Sequence, residues 1–287
     1  MNRIKPSVNF YIVVSLLTGY IISFLNSVFI YGTVGLSEVT ESVGNVIASA
    51  TTVIIPAIIY FSIETDAREF KKRHMKPIKG RELADCTGIM LCAWCAGQLM
   101  NTVIAGCLSR LGIEIIQQLP AGTDVLTVIG GFVCVCIAAP IFEELLYRGL
   151  VWDKLGGGVG AVVFTSLVFA AAHGSITVFA MPFVHGIACG FAMMKYHNIK
   201  YPIIMHFCGN LAAWLISMPF LGESVFIVNI VVFAVGIVTL VRCMVAAVKK
   251  INAVKTAICE GIAIFKADVL WVVIAIDFIY KNITYHI

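Results

Sequence analysis

Charged residues are scarce in this chain. Lysine, arginine, aspartate and glutamate together make up 13% of its 287 residues, against roughly 25% in an ordinary soluble domain. Hydrophobic residues make up 60%. A composition so poor in charge excludes an ordinary soluble domain, because such a domain needs more polar side chains on its surface. It predicts a polytopic membrane protein instead.

Several motifs for catalysis and ligand binding are also missing. The sequence has no His-Glu-x-x-His pair for a zinc protease, no Glu-x-x-His pair for a di-iron bundle, no P-loop and no Gly-x-Ser-x-Gly elbow. Its ten cysteines mostly occur singly in apolar segments, where cysteine is a small packing residue. The net charge of +4 is modest, and nothing in the sequence indicates a nucleic-acid partner.

Long apolar runs predict an all-α transmembrane bundle of about eight spans. Their predicted bounds are 9–31, 43–63, 86–108, 126–150, 159–175, 178–196, 201–220 and 225–247. These spans form a single transmembrane domain over residues 1–250. The remaining segment, 251–287, is predicted to associate with the membrane, and its apolar stretch 262–280 is either an amphipathic surface helix or a ninth span.

The basic residues predict the orientation of the bundle. Segment 64–85 contains the densest cluster in the chain: Arg68, Lys71, Lys72, Arg73, Lys76, Lys79 and Arg81. The positive-inside rule places such a cluster in the cytoplasm. Counting the predicted spans back from it puts the amino terminus in the cytoplasm as well, which agrees with the positions of Arg3 and Lys5.

Two adjacent glutamates and an arginine lie within one of the most apolar regions. Charges at membrane depth are costly and are usually found where they line a cavity or do chemistry. The alternative is that both glutamates lie at the cytoplasmic interface, where charges cost little. Glu144 and Arg148 are four residues apart, so they share a helix face, whereas Glu143 points about 100° away. We expect Glu144 and Arg148 to form a structural pair and Glu143 to face a cavity. Pro140 should loosen this helix and expose a carbonyl.

Histidines and an amide lie on later spans. His173 ends a run of small residues, and His206 and Asn210 share one face of a helix. With Glu143 they supply a carboxylate base, imidazoles and hydrogen-bond donors, the groups that attack of water on a carbonyl requires. A single membrane histidine is more often a packing residue, and His185 is interpreted as such.

The predicted depths of these groups disagree. His173 falls near the outer end of its span, whereas Glu143 and His206 fall near the inner ends of theirs. Either span 159–175 starts later than hydropathy indicates, or its helix breaks at Gly174-Ser175.

The polar residues form three motifs on successive apolar segments: Glu143-Glu144-x-x-x-Arg148, Phe169-x-x-x-His173 and His206-x-x-x-Asn210. This order resembles the signature of the CPBP or Abi family, which contains the CAAX prenyl endopeptidases and their bacterial relatives. The similarity covers roughly residues 126–216, which would be the catalytic core. It implies an all-helical intramembrane endopeptidase. Carried over by position, it assigns water activation to Glu143 and His173, oxyanion binding to His206 and Asn210, and ordering of the site to Glu144 and Arg148.

The identity of the substrate does not carry over from this resemblance. We expect a membrane-associated or lipidated peptide or protein as substrate, and a bacterial plasma membrane as the location. Two alternatives remain open. The first is a transporter or proton relay, in which buried glutamate and histidine are equally natural. The second is a catalytically silent immunity protein, because some bacterial relatives are linked to bacteriocin immunity.

No metal is predicted at the site. Glu143, His173 and His206 are nevertheless three residues of the types that bind zinc, so zinc is the alternative cofactor. Against a metal, the sequence has no His-x-x-x-His pair on one helix, and a metal would leave Asn210 without an evident task.

Overall fold

The computed structural model describes residues 67–111, 125–173, 178–216 and 224–250, with the short pieces 252–253, 255–256 and 259–260. Its elements over these residues are all helices, and no strand occurs among them. The all-α class is therefore confirmed. The predicted spans 9–31 and 43–63 and the apolar stretch 262–280 lie outside the described residues.

Seven helical segments make up the described fold. They are α1 (Ala67–His74), α2 (Gly80–Arg110), α3 (residues 125–154), α4 (Gly158–Ala172), α5 (Ala180–Tyr196), α6 (Lys200–Ile216) and α7 (Ser224–Lys249). Each predicted span that falls on described residues overlaps one of α2 to α7. Among the described residues, three stretches are long and apolar enough to cross a membrane: Gly80–Arg110, Val128–Lys154 and Phe226–Lys249. The number of crossings therefore stays a prediction.

Helix α3 contains two π-helical segments. The segments Phe132–Ala138 and Leu145–Val151 are π-helical, and the residues around them are α-helical. The N–H of Ala139 donates to the carbonyl of Cys134, five residues back, and Pro140 has no N–H to donate. The carbonyl of Val135 thus loses its usual partners within the helix. The loosening predicted at Pro140 is present in the turns before it.

Small residues allow the helices to pack closely. A Cβ atom on Gly97 of α2 would lie 2.9 Å from the Cα of Met181 on α5, and one on Gly236 of α7 would lie 2.6 Å from the carbonyl oxygen of Cys95. Close backbone approach through glycine is the usual way in which membrane helices associate. Many large apolar side chains of α7 are exposed, as expected for a surface that contacts lipid.

Helix α1 packs across one end of the bundle. Its Phe70 is buried, and a Cβ on Gly149 of α3 would lie 3.3 Å from the Phe70 ring. The N–H of Ile199 donates to the carbonyl of His74 at 2.8 Å. These contacts place the basic cluster of α1 at the same end of the molecule as the α3–α4 and α5–α6 connections.

Candidate active site

A buried ion pair lies at the centre of the described bundle. Arg148 Nη1 is 3.1 Å from Glu144 Oε1, and both side chains are fully buried. Arg148 Nη2 also donates to the carbonyl of Gly186 on α5 at 2.8 Å. The pair predicted from the spacing of these residues is thus present, and it connects α3 to α5.

His206 on α6 contacts the same carboxylate. Its Nδ1 lies 2.9 Å from Glu144 Oε1, the oxygen that also accepts from Arg148. Because a carboxylate paired with arginine accepts hydrogen bonds, Nδ1 is the protonated nitrogen and its N–H donates to Glu144. Glu144 therefore holds the imidazole in one orientation and joins α3 to α6.

Glu143 lies on the other side of the His206 ring. Its Oε2 is 3.6 Å from His206 Nε2, and its side chain is 17% exposed whereas that of Glu144 is not exposed at all. A separation of 3.6 Å is too long for a good direct hydrogen bond. A single water molecule or substrate oxygen can lie beside the pair and contact both groups. Of the two glutamates, Glu143 is the more exposed, and its position facing a cavity stays a prediction.

Asn210 follows His206 by one turn of α6 and binds the loosened part of α3. Its Nδ2 donates to the carbonyl of Val135 at 2.8 Å. This is the carbonyl that has no hydrogen-bond donor within the helix, because of the π-helical winding and Pro140. A side-chain amide has two N–H donors, and this bond uses one of them. The bond also fixes the distance between α6 and α3 beside the site.

His173 caps the carboxyl end of α4 and is exposed. Its Nδ1 lies 2.8 Å from the carbonyl oxygen of Phe169. A carbonyl only accepts, so Nδ1 carries the proton and Nε2 carries the lone pair when the ring is neutral. The Phe169 ring lies between two imidazoles, with centroids 4.8 Å from His173 and 5.5 Å from His206.

The end of α4 bears on the predicted mismatch of depths. The helix ends at Ala172, immediately before the predicted break at Gly174-Ser175, and residues 174–177 lie outside the described part. The shared contact with Phe169 brings His173 within one aromatic ring of His206. Helix α4 begins at Gly158, no later than predicted, and the depth of His173 relative to Glu143 stays a prediction.

His185 was interpreted as a packing residue, but it lies at the site. It is 2% exposed, and its ring centroid is 4.3 Å from that of His206 with the planes tilted by 68°. Within the described residues its Nε2 has no hydrogen-bond partner. One signal for this position exists in the sequence: His185 is followed by Gly186, Ala188 and Gly190, small residues that allow close helix contact.

The arrangement supplies general acid and base groups and hydrogen-bond donors. Across the described part of the chain, no three His, Cys, Asp or Glu side chains are grouped so that they could hold a metal ion. The cofactor assignment stays a prediction, and so do the individual roles of the site residues.

Comparison with known proteins agrees with the motifs. Residues 125–212 match the family model described as type II CAAX prenyl endopeptidase Rce1-like. The matched segment is about a third of the chain and contains all six predicted site residues. No curated protein matches the chain, and no solved structure does. The predicted family resemblance is therefore confirmed over this segment, and the chain is an integral membrane protein that resembles CAAX-type intramembrane proteases at the family level.

Proposed function

We propose that this membrane protein, which resembles type II CAAX prenyl endopeptidases over residues 125–212, is an intramembrane endopeptidase that cleaves a peptide bond with activated water. The observation that carries the proposal is the 3.6 Å separation of Glu143 Oε2 and His206 Nε2. A partly exposed carboxylate and an imidazole approach each other, and a buried ion pair orients the imidazole. Hydrolysis needs a carboxylate base for the water and, close to it, a hydrogen-bond donor for the developing oxyanion.

Water activation is assigned to Glu143 together with His173. The carboxylate of Glu143 takes a proton from the attacking water while the water oxygen bonds to the carbonyl carbon of the substrate. The Nδ1 proton of His173 is held by the carbonyl of Phe169, so Nε2 is the nitrogen that can accept a hydrogen bond from that water. When the tetrahedral intermediate collapses, the proton on Glu143 passes to the leaving amine.

Oxyanion stabilisation is assigned to His206 and Asn210. Because Nδ1 of His206 donates to Glu144, Nε2 can donate only when the ring is doubly protonated, and the two neighbouring carboxylates balance that positive charge. An N–H of Asn210, one turn further along α6, is the second donor. Preorganised donors of this kind typically change the rate by about 10²- to 10³-fold each.

The position of the site supports a class of substrate. Glu143 lies in Val128–Lys154, a helical stretch long and apolar enough to span a membrane. A peptide held at the membrane by a lipid or an apolar segment reaches such a site more readily than a soluble peptide does. We therefore assign membrane-associated or lipidated peptides and proteins as substrates.

The test compares peptides from cells producing the parent with peptides from cells producing Glu143→Ala at the same level. Membrane and secreted fractions are analysed by mass spectrometry for new peptide termini. We expect a set of termini that appears only with the parent, and purified parent protein should generate the same termini from synthetic versions of those substrates. If the parent and Glu143→Ala cells give identical peptide sets, and the purified protein moves solute or protons across proteoliposome membranes, the protein is a transporter and not a peptidase.

A further inference from the structure

A basic cavity lies at the end of the bundle that α1 covers. Its volume is about 600 Å³, and its lining residues are Glu69, Lys72, Arg73, His74, Lys76 and His197. All of these side chains are exposed except that of His74. The cavity is separate from the candidate active site, because none of its lining residues belongs to that site.

The acidic groups near the cavity already have cationic partners. Asp153 accepts from Arg73 Nη1 at 3.1 Å and lies 3.0 Å from His74 Nε2, and Glu69 lies 3.6 Å from Arg73 Nε. Within the described residues, the ammonium groups of Lys72 and Lys76 have no hydrogen-bond or ion-pair partner. Two lysines without carboxylate partners therefore face the cavity, and its electrostatic balance favours an anion.

His197 has a backbone conformation that favours glycine. It is the C-cap of α5, with φ 47° and ψ 45°, and its N–H donates to the carbonyl of Met193. Helices most often place glycine at a left-handed C-terminal residue, because a side chain there is strained. Residues held in strained conformations cluster at functional sites. Glycine would fit this backbone better but has no imidazole. The side chain of His197 lines the cavity, which gives a reason for histidine at this position.

The surroundings indicate a membrane surface. Helix α2, which is long enough to span, begins at Gly80 directly after the loop that contains Lys76. The N–H of Lys79 donates to the hydroxyl of Tyr201 at 3.0 Å. Tyrosine and lysine at the end of a spanning helix are typical of the interface between lipid and water. Basic pockets in this position bind the headgroups of anionic lipids.

We propose that Lys72, Lys76 and His197 form a binding site for the phosphate of an anionic phospholipid headgroup. The lysines supply charge, and His197, at the end of α5, supplies a ring N–H donor. Bound lipid would hold α1 against the end of the bundle. The site does not depend on the proposed peptidase activity.

The experiment measures the thermal unfolding midpoint of the full-length protein in a neutral detergent. The protein is titrated with short-chain phosphatidic acid, with short-chain phosphatidylcholine of equal chain length, and with inorganic phosphate at matched ionic strength. We expect phosphatidic acid to raise the midpoint in a saturable manner and phosphatidylcholine to have little effect. An equal rise with inorganic phosphate would support the same site with free phosphate as its ligand.

Substitutions test whether the stabilisation by phosphatidic acid comes from binding in this cavity. Lys72→Gln/Lys76→Gln should weaken the apparent affinity for phosphatidic acid by about tenfold or more, given the usual contribution of each lysine at a membrane surface. Lys249→Gln/Lys250→Gln removes the same charge from the end of α7 and should leave the affinity unchanged. His197→Gly should unfold at an equal or higher temperature without lipid, because it relieves the left-handed residue, yet bind the lipid more weakly.

Two results would overturn the proposal. If phosphatidic acid and phosphatidylcholine stabilise the protein equally, headgroup charge is not recognised. If the two double-lysine variants lose affinity to the same extent, attraction is a property of the whole charged surface and the cavity is not a site.

Discussion

The two adjacent glutamates of α3 have different surroundings, and substitution should separate their roles. Glu143 is partly exposed and makes only a long contact to His206. We expect Glu143→Gln to lower the cleavage rate by about 10²-fold or more, the usual contribution of a general base, while the unfolding temperature in detergent stays near that of the parent. The measurements are the turnover of a substrate identified from the peptide comparison and thermal unfolding.

The control for this prediction is the same substitution at the neighbouring glutamate. Glu144→Gln keeps the shape of a buried side chain but removes the negative charge that binds Arg148 and His206. It should lower both stability and activity. A purified Glu143→Gln protein with full activity would contradict the proposed mechanism.

Arg148 is a fully buried charge, and its removal should be costly to stability. Arg148→Met retains most of the apolar volume but leaves Glu144 without its cationic partner and the carbonyl of Gly186 without its donor. Breaking a buried pair by removing one partner typically costs about 3–5 kcal/mol. Arg148→Lys keeps the charge and should be intermediate, because it cannot make both contacts at once. Denaturation in detergent measures the difference. If the methionine variant were as stable as the parent, the pair would have no structural role.

At the scale of elements, the contact between α5 and α6 positions the imidazoles. A Cβ atom on Gly209 of α6 would lie 2.8 Å from Cε1 of His185, whose ring rests against His206. We expect Gly209→Ala to displace the His185 ring and to lower activity by about tenfold or more, since small misplacements of reacting groups cost up to about 10²-fold. The effect is measured as kcat with the same substrate.

A second glycine provides the control for helix propensity. Gly88 on α2 is exposed, and a Cβ there would meet nothing within 4 Å. Gly88→Ala should leave activity unchanged and stabilise the protein by roughly 0.5–1 kcal/mol. Equal activity in the two alanine variants would show that the position of His185 does not matter for the site.

At the scale of the whole molecule, the ends of α2 test the orientation of the bundle. Lys76 lies just before this helix and Cys107 lies in its last turn, and both are exposed. A helix from Gly80 to Arg110 is about 46 Å long, longer than the roughly 30 Å apolar core of a bilayer. In a background without other cysteines, a membrane-impermeant thiol reagent added outside intact cells should label Cys107 and should not label Lys76→Cys. The reverse pattern would invert the predicted orientation.

The cofactor requirement is also a property of the whole protein. We expect detergent-purified protein to keep its activity after exhaustive treatment with a strong chelator, because the four proposed catalytic residues supply the chemistry through proton transfer and hydrogen bonding. These residues are Glu143, His173, His206 and Asn210. Elemental analysis of the same sample measures bound metal. Stoichiometric zinc, with activity lost on its removal and restored on its return, would place the histidines in a metal site.

The sequence by itself determined the features that depend on local pattern. Apolar runs identified α2 to α7 because burial in lipid requires them, and a spacing of four residues identified the pair of Glu144 and Arg148 because it places both on one face. The same rule identified His206 with Asn210, and the missing N–H of Pro140 predicted the irregular winding of α3. Each of these follows from the covalent structure of one segment.

Only the tertiary structure decided which segments meet. It placed His206 between the two glutamates, joined Asn210 to the open carbonyl of Val135, and brought His185 against His206. It also formed the basic cavity from α1 and the end of α5. Sequence periodicity defines the face of a helix that is polar or small, but not the rotation of that helix against its neighbours. That rotation depends on how side chains of different helices fit together, which is a property of the assembled bundle.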